Sequence, residues 1–136
     1  MKKIVRMAGV LLAFALASCT QQPQSLSIIP IPLKAELQGG AFVVNEQTQV
    51  WIDAPEADKN ILQEYLAASP LKLSVATETP ASNAIVLKQV AELPGVESAE
   101  GYVLTATKKG VEVQAKTGAG LFYGVQTLLQ MATEGN

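Results

Sequence analysis

Gly101 to Met131, GYVLTATKKGVEVQAKTGAGLFYGVQTLLQM, is the stretch that decides the fold. Tyr102, Leu104 and Ala106 alternate with Val103, Thr105 and Thr107, the two-residue period of a strand with one face buried. Val111, Val113 and Ala115 alternate with Glu112, Gln114 and Lys116 in the same way. Lys108-Lys109-Gly110 joins the two as a tight connection, its Gly free to take the left-handed conformation that short hairpins use. Thr117 offers its hydroxyl to the unpaired N–H groups of a helix start. Leu121, Val125, Leu128 and Ala132 then recur at the spacing of one helical stripe, widened by Phe122 and Leu129.

Three glycines stand at or inside the N-terminal half of that helix: Gly118, Gly120 and Gly124. A mid-helix Gly costs about 1 kcal/mol relative to Ala, so their presence predicts a helix backbone pressed against the sheet where a side chain would not fit. A strand followed by Gly-x-Gly at a helix start also resembles a phosphate-binding turn. The spacing Gly118-x-Gly120-x-x-x-Gly124 departs from that pattern and no acidic ribose partner follows, so packing glycines and no nucleotide are expected.

The strand pair ending at Ala115, then Ala119-Gly120, Phe122-Tyr123-Gly124 and Gln126-Thr127-Leu128-Leu129-Gln130, resembles the end of the small N-terminal domain that precedes the catalytic barrel in glycoside hydrolase family 20, the β-N-acetylhexosaminidases. A second resemblance lies upstream, in Ile29-Pro30-Ile31-Pro32 followed by Gly40-Ala41-Phe42-Val43-Val44. Related small domains precede barrels in other glycosidase families as well.

Residues 1–18 read as a signal peptide: Lys2, Lys3 and Arg6 form a positive start, and Met7 to Leu16 an apolar core too short for a stable span. Leu16-Ala17-Ser18-Cys19 resembles a bacterial lipobox, which implies cleavage before Cys19 and a lipid on its thiol. Cys19 is the only cysteine, so no intramolecular disulfide is available. Lipidation implies a bacterial cell-envelope location, with the domain on a membrane surface facing the periplasm or the exterior. Residues 19–27, rich in Gln and Ser, are expected to be the lipidated Cys and a flexible tether, and residues 28–134 the folded domain.

Without the signal peptide, seven Lys face twelve Asp and Glu, a formal charge of −5, with no Arg and no His. This composition excludes imidazole catalysis and His metal ligation. It also removes the residue most used to grip phosphates and base edges. No metal, no cofactor and no nucleic acid are expected.

Between the tether and the deciding stretch, Ile28 to Leu33 alternates Ile with Pro, an extended edge segment. Ala41 to Val44 and Gln47 to Ile52 read as strands, with Val50 and Ile52 on one face and Trp51 on the other. Trp51 is a candidate for closing the core edge, for contact with a neighbouring domain, or for stacking on a sugar. Asp53 is an expected N-cap and Pro55 suits the first turn of a helix running to about Ala68, with Ile61, Leu62, Tyr65 and Leu66 on its apolar side. Ser69-Pro70 ends it. Leu71 to Thr77 is a further strand, Ala84 to Lys88 the central one, and Gln89 to Glu100 an acidic connection. The expected fold is α+β: a two-layer sandwich of one mixed, mostly antiparallel sheet of about six to seven strands, with two helices on one face.

No catalytic constellation is present. The resemblance implies hydrolysis through an adjacent Asp-Glu pair with substrate assistance, an exception to the usual two-carboxylate scheme. Asp53 and Asp58 are the only aspartates, and neither adjoins a glutamate. The resemblance therefore implies a non-catalytic N-terminal accessory domain of a β-N-acetylhexosaminidase, a part of the enzyme that lacks its catalytic residues. The partners it implies are the catalytic barrel, which is absent from these residues, and the membrane surface. Two alternatives stand beside it: a free-standing lipoprotein adaptor binding glycan or a partner protein, and the same domain before another glycosidase barrel such as an α-glucuronidase.

Overall fold

A computed structural model of the protein describes residues 28, 33, 34, 36 and 40–134. The expected signal peptide, Cys19, the tether and most of the Ile28-to-Leu33 segment lie outside them. The chain forms β1 (Gln49–Asp53), α1 (Glu56–Ala68), β2 (Ser74–Val75), β3 (Ala84–Gln89), β4 (Tyr102–Thr107), β5 (Gly110–Ala115) and α2 (Gly118–Glu134). The strands make one sheet in the order β2-β1-β3-β5-β4, so β3 is central.

The α+β architecture holds, with five strands among the described residues. The pairings differ from the expected mostly antiparallel sheet. β1·β2, β1·β3 and β3·β5 are parallel, and the β4–β5 hairpin alone is antiparallel. Parallel neighbours need a crossover connection, and α1 supplies one between β1 and β2. Ala41 to Val44 is not a strand. Its Phe42 and Val44 instead pack against the core while Val43 is exposed.

Register puts Val50, Ile52, Ile85, Leu87, Val111 and Val113 on one face, all nearly or fully buried. From α1, Leu62 and Leu66 join them; from α2, Leu121, Val125, Leu128 and Leu129. Both helices therefore cover the same face. Ile61 was expected on the apolar side of α1 but is 58% exposed, because it lies about 100° around the helix from Leu62.

The α1 start also differs from expectation. Asp53 stays in the ladder opposite Lys88, and Pro55 occupies the N-cap position with φ −53° and ψ 148°, making no side-chain cap. The backbone bond from Lys59 N to Pro55 O opens the helix. Gly110 has no positive φ and belongs to β5, opposite Thr107, so Lys108 and Lys109 alone form the hairpin turn. Gly110 is needed for a different reason: a Cβ there would come 2.5 Å from the Ala84 carbonyl oxygen on the neighbouring strand.

One end of the sheet is tied by a polar knot. Thr48, 1% exposed, donates from Oγ1 to Asn83 Oδ1 at 3.0 Å and accepts from Asn45 N at 3.0 Å. Asn83, at φ 51°, donates from Nδ2 to Asn45 Oδ1 at 3.2 Å. Asn tolerates this left-handed conformation better than most residues. Because α2 runs back antiparallel to β5, the chain leaves at this same end, and Gly40 also lies here, against the Lys108 side chain.

Candidate functional site

The opposite end, beyond the C-terminal ends of the parallel strands, collects the loops that precede both helices. Thr117 caps α2, accepting from Gly120 N at 3.1 Å, and donates to Ala99 O at 2.5 Å. Lys116 Nζ donates to Glu97 O at 3.1 Å, so the 90–101 connection is clamped to the start of α2. A shallow depression of about 360 Å³ lies here, lined by Asp53, Ala54, Pro55, Gln89, Val90, Ala91 and Lys116. It holds one carboxylate, Asp53, where the usual glycosidase scheme places two. Gln89 Nε2 donates to Lys116 O at 3.3 Å, while Gln89 Oε1 is buried without a protein partner. Among the described residues no cluster of His, Cys, Asp or Glu could hold a metal ion, and no helix is long and apolar enough to cross a membrane.

The three glycines seat α2. A Cβ on Gly120 would meet Gly101 O at 2.6 Å and the Ala115 Cβ at 2.8 Å; one on Gly124 would meet Val113 Cγ1 at 2.3 Å and the Tyr102 ring at 3.2 Å. These two positions bring the helix backbone onto β4 and β5. Gly118 faces α1 instead, with an Asp58 carboxylate oxygen 2.2 Å from where its Cβ would stand. Asp58 thus places a negative charge at the N-terminus of α2, where the helix dipole favours it. Lower on the helix, Tyr102 OH and Thr127 Oγ1 share a hydrogen bond of 2.5 Å.

With its inner stripe buried, α2 presents an outward surface of unusual composition. From Gly118 to Thr133 it carries no Asp, Glu, Lys or Arg. A helix bathed in water on one side ordinarily carries charge there, as α1 does with exposed Glu56 and Glu64. Phe122 stacks at 4.7 Å and 55° on Tyr65 of α1, and meets Tyr123 at 6.1 Å edge to face. Tyr123 is 39% exposed, and Ile61 stands one turn before Tyr65. Ile61, Tyr65, Phe122 and Tyr123 make an apolar ridge across both helices.

Trp51 is nowhere near this ridge. It lies half-buried on the opposite face of the sheet, which neither described helix covers, in a row with Val86, Glu112 and Thr105. Around it stand Gln49, Asp53, Lys88 and Gln114, with Gln114 Nε2 donating to Glu112 Oε1 at 2.7 Å. Apart from these surfaces, Lys34 Nζ and Glu36 Oε1 form an exposed ion pair at 2.8 Å; the hydrogen bond between them raises the lysine pKa and lowers that of the glutamate.

The sequence profile of glycosyl hydrolase family 20, domain 2, matches residues 25–136. The chain belongs to this family. This family-20 domain is 31% identical over 144 residues to the Beta-hexosaminidase of Porphyromonas gingivalis (strain ATCC BAA-308 / W83), covering 96% of the chain and 18% of that protein. Among solved structures, it matches the GH20 beta-N-acetylhexosaminidase from Streptomyces coelicolor A3(2) with 31% identity and a TM-score of 0.53, over 66% of the chain and 18% of that enzyme. The beta-N-acetylhexosaminidase from Bacteroides fragilis NCTC 9343 shares the fold, with a TM-score of 0.59 at 24% identity, over 76% of this chain and 20% of the other. The domain spans about a fifth of the length of the relatives it matches.

Of the family-20 domain's expected site residues, Gly120 and Gly124 lie on the face of α2 that meets the sheet, Gly118 faces Asp58 of α1, Trp51 lies on the other face of the sheet, and Cys19 falls outside the described residues. Sequence reasoning missed the ridge through Ile61 and Tyr65. The uncharged run from Gly118 to Thr133 was the signal that could have found it.

Proposed function

We propose that this chain is the accessory domain of a membrane-tethered β-N-acetylhexosaminidase, held to the envelope by a lipid on Cys19 and bracing a catalytic barrel through its helix layer. The parent enzyme removes terminal N-acetylglucosamine or N-acetylgalactosamine from glycans by a retaining, substrate-assisted route, with the Asp-Glu pair supplied by the barrel. The observation that carries the bracing role is the charge-free outer surface of α2 with its ridge of Ile61, Tyr65, Phe122 and Tyr123. Charge depletion with aromatic enrichment is the composition of an interface core. Support for the parent comes from family membership and from relatives about five times as long.

The test compares the isolated domain with the domain joined to its barrel. Ile61→Asp changes a mostly exposed position and should leave the isolated domain within about 0.5 kcal/mol of the parent sequence, while Tyr123→Asp also gives up its edge-to-face contact with Phe122 and should cost about 1 kcal/mol. Joined to the barrel, the same changes should shorten the half-life of N-acetylglucosaminidase activity on heating. Unchanged half-lives in both variants would refute the bracing role. A second reading, glycan binding by a free-standing adaptor, draws on the half-exposed Trp51 among hydrogen-bonding side chains. Saturable heat with chitooligosaccharides, lost in Trp51→Ala, is the result that reading requires.

A further inference from the structure

The connections that follow β1 and β3 diverge at the C-terminal end of the sheet. From Asp53 the chain turns through Ala54 and Pro55 into α1 and on to β2 at one edge. From Gln89 it turns through Val90 and Ala91 toward β4 at the other edge. Diverging connections after neighbouring parallel strands leave a crevice, the place where open sheets take their ligands. The depression of about 360 Å³ lies there, with Ala54, Pro55, Val90 and Ala91 as its apolar wall.

Its polar contents are unbalanced. Gln89 Nε2 donates to Lys116 O, which fixes the sense of the amide, because the reverse would set two oxygens against each other. The group left over is therefore an acceptor: Oε1, buried and without a donor among the described residues. Such an atom gives up its hydration and receives nothing in return. The lysines of this end are engaged or turned elsewhere. Lys116 Nζ is held by Glu97 O, Lys88 lies on the other face of the sheet, and Lys59 stands a turn along α1 from Pro55. Outside the expected signal peptide the chain has no Arg.

The surroundings select a cation for this vacancy. Asp53 lines the depression, Glu56 and Glu92 adjoin lining residues, Glu97 is tied to Lys116, and all four are exposed. With Asp58 and Glu100, six carboxylates of this end face its three lysines. A guanidinium suits the site better than an ammonium. It is a planar fork of several N–H donors, it is more weakly hydrated, and its aliphatic stem can lie along the apolar wall.

We propose that this depression receives an arginine side chain from the catalytic barrel, its guanidinium donating to Gln89 Oε1. One bond of 3.3 Å, just past the usual range, holds the Gln89 amide, so it can turn to meet the incoming donor. Pro55 is the N-cap of α1 and Thr117 that of α2, so the arginine enters at the N-terminal rim of the helix layer. The inference rests on the barrel contact proposed above and adds a polar anchor to its apolar ridge.

Gln89→Met tests it, since it keeps the length of the side chain and removes the amide. In the 136-residue chain Tm should hold or rise, because the orphaned acceptor goes with the weak bond. In the chain joined to its barrel, the half-life of N-acetylglucosaminidase activity on heating should shorten by about threefold or more, as befits a lost hydrogen bond to a charged group. Changing the barrel's arginines to Met one at a time should find one that shortens the half-life equally and adds nothing on top of Gln89→Met. If Gln89→Met affects the lone chain and the joined one alike, as a water-filled depression would give, the proposal is overturned. The same holds if no barrel arginine couples to Gln89. Ile61→Asp reports the ridge separately. A half-life shortened by Ile61→Asp but not by Gln89→Met overturns this inference alone, whereas one unmoved by either overturns the barrel contact with it.

Discussion

Ile85 and Leu87 share strand β3 with Val86, yet their side chains live in different surroundings. The first two are fully buried under the helices, and Val86 stands half-covered beside Trp51 on the open face. The backbone ladder is common to both sets, so the difference belongs to what packs above them. On the covered face α2 is drawn down by Gly120 and Gly124 until backbone meets strand, and α1 packs beside it through Leu62 and Leu66. On the open face, three adjacent parallel strands carry a mixture of Trp51, Val86, Glu112 and Gln114. Parallel strands are ordinarily covered on both faces. Here one face supplies the core, and among the described residues no helix lies over the other.

Substitutions along β3 should break this comparison if it is mistaken. Leu87→Ala removes a fully buried side chain and should cost about 2–5 kcal/mol in urea unfolding. Next in size is Gly120→Ala. Its methyl gains about 1 kcal/mol of helix propensity but collides with the Gly101 carbonyl and Ala115, neither of which can swing aside. Overpacking of about 1–3 kcal/mol should win, giving a lower Tm. Gly118→Ala is the control, since its neighbour is the movable Asp58 carboxylate, and it should melt nearer the parent sequence. Tyr102→Phe, which strips the hydroxyl from Thr127, should cost about 1 kcal/mol, a fall of about 5 °C in thermal melting. Smallest of all, Val86→Ala on the open face should stay within about 1 kcal/mol. A loss there as large as that of Leu87→Ala would mean the open face is covered after all.

The hairpin, the long final helix and its buried stripe were legible because Tyr102 to Ala115 alternates cleanly and Leu121, Val125 and Leu128 keep helical spacing. Strand direction was not. Alternation marks a half-buried strand whether its neighbour runs up or down, and β1, β3 and β5 find each other across long intervals that leave no local trace. Phe42 and Val44 look like a strand because every second residue is half-buried, but they pack against the core without a ladder partner among the described residues. Asp53 has the chemistry of a cap, yet its ladder position opposite Lys88 holds it in the sheet. The candidate ridge was half visible, since the absence of charge in α2 is a one-dimensional fact. Its other half, Ile61 and Tyr65, is contributed by a helix distant in sequence.

The last turn of α2 lies at the end of the sheet that carries the Thr48–Asn83 knot. A pull on the chain at that helix end would be felt first where α2 rests on β5, peeling the helix off the strands before any strand had to slide past its neighbour. The seam between helix and sheet, closed by Gly124 against Val113, is therefore where the fold would yield first under load.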